Sequence, residues 1–120
     1  MVCTISYYLI MEIKFDKCNC IITPLSPELG KRETDKIAAE LDLLSNCRIG
    51  IDLSFVKDCS SYFLDFIYNC KNINLFNIPS NIFVLLNCMN LDKAANLFVS
   101  EYDFLNSSHR LLNRRFSVVN

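Results

Sequence analysis

The chain has 120 residues, with 12 Lys and Arg against 13 Asp and Glu for a formal charge of −1; 52% of residues are hydrophobic and 21% charged. This length fits one domain with room for a packed core, and the apolar content excludes wholesale disorder. A near-zero charge argues against nucleic acid as a partner, which needs a basic stripe to displace counterions. The two glycines, Gly30 and Gly50, cannot spell GxGxxG or GxxxxGK[ST], so no phosphate-cradling loop or cofactor is implied.

Seven cysteines stand at positions 3, 18, 20, 47, 59, 70 and 88. The count is odd, and Met1–Met11 lacks a basic start and a small-residue cleavage site, so a disulfide framework is not expected. Most of the thiols read as small buried hydrophobes in a reducing cytoplasm. Cys18 and Cys20 have no second pair to complete a tetrahedral metal site, and His109 is the only histidine, so no metal is expected. No apolar run reaches the roughly 20 residues that span a bilayer.

In chain order, Thr4–Ile10 and Met11–Phe15 are β-prone, and Cys20–Thr23 follows as a strand after a turn at Asp16–Asn19. Thr34–Leu44 places Ile37, Leu41 and Leu44 on one face, which predicts an amphipathic helix. Arg48–Leu53 alternates as a strand. Cys59, Tyr62, Phe63, Phe66, Ile67 and Cys70 then recur at helical spacing as an inward stripe. Ile73–Phe76 is a short buried strand. Pro79 or Ser80 opens a helix to about Met89, with Ile82, Phe83, Leu86 and Met89 inward. Leu97–Val99 is a minimal strand, and Ser100 caps a last helix to about Asn113. The alternation predicts an α/β fold: a mixed, mostly parallel sheet of about four to six strands, flanked by about four helices.

Chemistry concentrates in Leu53–Ser61, between a strand and a helix. Asp58 or Ser60 suits an N-cap, whose oxygen accepts from orphan backbone N–H groups. A phosphate on a hydroxyl there would meet free N–H donors and the positive dipole end, and would reverse the local potential beside Asp58 and Asp52. Cys59 at the same helix start is the alternative, a thiol enzyme or redox sensor, opposed by its place on the apolar stripe. Asp52 ends a strand where ligands gather in open α/β sheets. His109 reads as solvent-facing on the last helix. Arg110, Arg114 and Arg115 complement its C-terminus.

The run Ile49–Ser61 resembles the central signature of STAS domains, the anti-sigma-factor-antagonist family. There, an acidic-apolar-Ser strand end precedes an Asp-Ser-Ser-Gly-Leu helix start. Met11–Phe15 resembles the family's start. Ile73–Leu75, the following helix, Met89–Asp92 and Phe98–Asp103 resemble its later elements, so the likeness covers about residues 11–112. Residues 1–10 precede it as an extra edge strand or an upstream start codon, and residues 113–120 form a tail. This chain carries Ser61 and Tyr62 where the family has Gly and Leu, Cys59 in place of a hydroxyl residue, and Pro27-Glu28-Leu29-Gly30 where the early loop has Gly-x-Leu-Asp.

The resemblance implies a non-enzymatic switch in the bacterial cytoplasm, whose unmodified form binds an anti-sigma factor that is also a serine kinase. Phosphorylation at Ser60, or at Ser61 in the competing register, releases the partner. The implied docking surface is Asp58, Ser60 and Ser61, extended by Leu64, Asp65 and Tyr68 on the same helix and by Glu28 and Leu29 in the Leu25–Gly30 loop. Other STAS proteins are accessory subunits of the ATPase of a lipid-trafficking ABC transporter and need no such serine, which makes that the alternative.

Overall fold

The computed structural model describes residues 2–7 by their backbone, and residues 11–70 and 73–106 with their side chains. Strands β1 (Val2–Tyr7), β2 (Met11–Asp16) and β3 (Asn19–Pro24) form an antiparallel meander, with Ile5 opposite Ile13 and Ile13 opposite Ile22. The β2–β3 turn falls at the expected place, with Lys17 at φ 60°. The first strand ends at Tyr7; the rest of the Thr4–Ile10 expectation lies outside the described residues.

A short β4 (Glu28–Leu29) precedes α1 (Lys31–Leu43). That helix starts before the expected Thr34 because Gly30 organises its first turn. Glu33 Oε1 accepts from Gly30 N at 3.0 Å, and Thr34 Oγ1 donates to Gly30 O at 2.7 Å. Next come β5 (Arg48–Asp52), β6 (Asp58–Cys59), α2 (Ser61–Asn69) and β7 (Ile73–Phe76). Then follow α3 (Ser80–Cys88), a 3₁₀ turn (Leu91–Lys93), β8 (Ala95–Leu97) and α4 (Glu101–Asn106).

The main sheet has six strands in the order β1-β2-β3-β5-β7-β8, and β3-β5-β7-β8 are mutually parallel. This is the α/β architecture anticipated, with a two-stranded parallel sheet of β4 and β6 added beside it.

Period-two alternation gives the sheet two different faces. One carries Met11, Ile13, Cys20, Ile22, Ile51, Leu75 and Leu97 into a large core with Ile37 of α1, Phe63 and Ile67 of α2, and Ile82 and Leu86 of α3. The other is polar, with Lys14, Arg48, Asp52, Asn74 and Asn96, around a small cluster of Ile21, Phe76, Phe98 and Phe104. Helix α4 roofs that cluster. Phe104 stacks on Phe76 with centroids 5.4 Å apart and meets Phe98 edge-on at 5.8 Å. The Arg48 guanidinium lies 4.1 Å from the Phe104 centroid and donates to its carbonyl, while Lys14 pairs with Glu101 at 2.8 Å. Gly50 makes this fit possible, because a Cβ there would stand 2.8 Å from Phe104 and 2.9 Å from Phe76.

Two expectations near the end of the chain are corrected. Met89 is half exposed, not inward, because α3 stops at Cys88 and Asn90 turns the chain at φ 59°. The last strand is Ala95–Leu97, and Phe98 leaves it for the small cluster. Ser100 does cap α4, its Oγ accepting from Asp103 N at 3.4 Å. The extension to Asn113, His109 and the three arginines lie outside the described residues. Among the described residues, no helix is long and apolar enough to cross a membrane.

Candidate functional site

The segment after β5 is tied down residue by residue. Asp52 Oδ1 accepts from Ser54 N at 3.0 Å and from Asn77 Nδ2 at 3.1 Å. Leu53 and Val56 turn into the core, and Phe55 between them is left more than half exposed. The chain then runs alongside the Leu25–Gly30 loop. Pro27 O accepts from Lys57 N and Asp58 N at 2.6 and 3.1 Å, and Leu29 O accepts from Ser60 N at 2.9 Å. Asn81 Nδ2, at the start of α3, holds Lys57 O at 2.7 Å. A shallow cleft of about 160 Å³ lies between the two segments, lined by Glu28, Leu29, Gly30, Asp58, Cys59 and Ser60.

Ser60 is the N-cap of α2. Its extended backbone (φ −90°, ψ 173°) lets Oγ accept from Tyr62 N at 3.2 Å, while its carbonyl takes the N–H groups of Phe63 and Leu64. The same Oγ donates to Leu29 O at 3.0 Å. Asp58, the other candidate cap, belongs to β6 instead, and its carboxylate accepts from Cys59 N at 2.9 Å.

The structure brings Glu28, Asp58, Ser60 and Ser61 together at the C-terminal side of the parallel strands, where Glu28, Asp58 and Ser61 are exposed and Ser60 is half-buried. Asp65 and Tyr68 are exposed further along α2. Leu64 and Leu29 are corrections. Helix α2 is turned so that Phe63, Leu64 and Ile67 face the core, and Leu64 is only 7% exposed. Tyr62, expected inward, is 52% exposed. Burying a tyrosine hydroxyl without a partner is costly, whereas Leu64 loses nothing by entering. Leu29 is fully buried because the two-residue β4 alternates Glu28 outward and Leu29 inward.

The thiol reading meets an opposing field. Burial, and next the Asp58 carboxylate, push the Cys59 thiol up to about 11, whereas a nucleophilic cysteine needs a lowered value. The six described cysteines are free, and among the described residues no group of three or more His, Cys, Asp or Glu is placed to hold a metal ion.

Sequence reasoning missed three features. Phe55 and Tyr62 flank Ser60 as exposed aromatics; the adjacent pair Phe55-Val56 was a signal, since a turn cannot bury both. The β4–β6 pairing had no signal beyond two-residue apolar-polar alternation. The seat of α4 was announced by Gly50, a glycine inside a strand of a glycine-poor chain. The chain matches no protein-family model and none of the curated proteins.

Proposed function

We propose that this domain is a non-enzymatic interaction switch of the anti-sigma-factor-antagonist kind. Its unmodified Ser60 face binds an anti-sigma factor that is also a serine kinase. The observation that carries the reading is Ser60 itself. It is a hydroxyl at the N-cap of α2, in a cleft it shares with Asp58 and Glu28, and the exposed aromatics Phe55 and Tyr62 lie close to it in the chain. Exposed aromatics with a polar rim are the composition of protein-binding patches. The order of strands and helices and the Ile49–Ser61 signature support the same reading.

In the switch step, Ser60 Oγ gives its proton to a base of the kinase and attacks the terminal phosphorus of a nucleoside triphosphate. The Oγ–P bond forms as the bridging P–O bond breaks, and the nucleoside diphosphate leaves. The product carries about −1.5 to −2 charges at the helix start. There it adds to the charge of Asp58 and Glu28 and repels any acidic partner group that the unmodified surface accepts.

The accessory-subunit reading has one observation in its favour: the Ser60 hydroxyl is already engaged at both ends, as a purely structural cap would be. Affinity capture from native lysate with wild type and Ser60→Asp, followed by phosphorylation of the purified pair, separates the two. The switch reading expects a serine kinase retained by wild type, released by Ser60→Asp, and able to add one phosphate at Ser60. A transporter ATPase captured equally by both proteins overturns it.

A further inference from the structure

We propose that the unmodified Ser60 hydroxyl is a latch that holds the Leu25–Gly30 loop against the start of α2, and that phosphorylation of Oγ releases this loop as well as adding charge. The inference deepens the switch reading and rests on it only for the identity of the modification.

Leu29 O accepts two hydrogen bonds from one residue, from Ser60 N at 2.9 Å and Ser60 Oγ at 3.0 Å. A hydroxyl has one proton, and at this site it is committed to Leu29 O, because the other Oγ contact is the N–H of Tyr62 donating inward at 3.2 Å. An ester oxygen has no proton. After phosphorylation, Oγ and the Leu29 carbonyl would face each other at 3.0 Å as two acceptors with a dianion beside them, so the pair must separate.

What separates is a short pairing that precedes a single buried anchor, Leu29. The β4–β6 ladder is two residues long, pairing Glu28 with Asp58 and Leu29 with Cys59. Beside it stand the two bonds to Pro27 O, the bond from Ser60 N to Leu29 O, and the Leu29 side chain buried in the large core, which anchors the segment while the stretch before it can move. The loop also leads directly into α1, whose first turn is organised by the N–H and C=O of Gly30. Loss of the Ser60 proton is therefore felt in two places besides the serine: in the exposed Leu25–Glu28 stretch and at the start of α1. A partner that touches this loop reads the modification as a change of shape.

The test is amide hydrogen exchange on the full chain, with wild type, Ser60→Thr, Ser60→Asp and Ser60→Ala. Threonine keeps both the donor and the cap, aspartate keeps the cap but cannot donate, and alanine loses both. The latch expects residues 28–30 and 57–60 to exchange about fivefold faster in the Asp and Ala variants, the factor of one net hydrogen bond, and at the wild-type rate in Thr. The amide of Tyr62, which donates to Oγ, should speed up only in Ala, and those of β5 and β7 report that each variant is folded. Wild-type exchange at 28–30 and 57–60 in Ser60→Asp overturns the latch, as does a Thr variant as fast as Ala. If Ser60→Asp fails to fold, the Ala and Thr pair decides. Partner release by Ser60→Asp with these amides unchanged would sink the latch and leave the switch standing. Partner retention with these amides fast would do the reverse.

Discussion

The two faces of the central sheet are built on different logics. On the helix-covered face, residues from five described strands and three helices share the burial, and Phe63, Ile67, Ile37, Ile82 and Leu86 are all fully enclosed. On the opposite face, among the described residues, a polar surface is closed over its middle by α4, whose Phe104 ring is seated on Gly50 and whose ends are held by Arg48 and Lys14. Removing a side chain from the first face harms the whole domain. The second face can fail locally, by letting α4 go.

Phe63→Ala should break this contrast most severely, since a fully buried ring costs about 3–5 kcal/mol when truncated. Equilibrium urea unfolding should show one cooperative transition at much lower denaturant. A midpoint close to wild type would mean that the large core does not depend on α2.

Gly50→Ala is the sharper test. Its Cβ would overlap Phe104 and Phe76, and overpacking of this kind costs about 1–3 kcal/mol. Hydrogen exchange should rise in α4 while the β3 and β5 amides stay protected. If β5 loosens together with α4, the two faces are one cooperative unit and the comparison fails.

A smaller, pH-dependent effect separates the faces chemically. Burial foremost, then Cys47 and Glu40, push the Cys20 thiol on the helix-covered face up to about 11 from 9.0. The folded state therefore holds this proton more tightly than the unfolded state. The resulting stability is complete below about pH 9 and is lost as pH rises towards about 11. Cys20→Ala should flatten the decline in melting temperature across that window; parallel curves for the two proteins would exclude a role for this thiol. In native protein, exposed Cys18 and Cys88 should alkylate well before Cys20.

The smallest effect belongs to Lys14→Met. The Lys14–Glu101 pair joins β2 to α4, but both side chains are about one-third exposed, so its loss should cost less than about 1 kcal/mol and lower the melting temperature only slightly. A drop as large as that of Gly50→Ala would make the ion pair, not the ring, the anchor of α4.

The same contrast explains what could be read in advance. Periodicity reports burial against a wide, continuous layer, so β2, β3, α1, β5, β7 and α3 were legible from Ile13, Ile22, Ile37, Ile51, Leu75 and Ile82. It fails where a side chain has a polar end or an element is only two residues long. Tyr62 and Leu64 exchanged their expected places because a hydroxyl prefers water. Leu29 looked like loop surface because β4 is too short to display a period. The Ser60 cap was legible, since it depends on local chemistry. Its bond to Leu29 was not, since that contact spans 31 positions and exists only once β4 and β6 are paired.

The β4–β6 pairing also changes how the chain can be divided. Among the described residues, the segment up to the exposed Ser45 contains β1 to β4 and α1, and the segment from Asn46 contains β5 to β8, α2, α3 and α4. Both sheets cross that boundary, through β3 beside β5 and through β4 beside β6, and α1 packs on α2. A chain cut between Ser45 and Asn46 would thus leave two fragments, each holding half of two parallel ladders and each completing the other. Fragments co-expressed from that split should co-purify in equal amounts, with the Ser60–Leu29 contact rebuilt across the seam as the reporter of correct assembly.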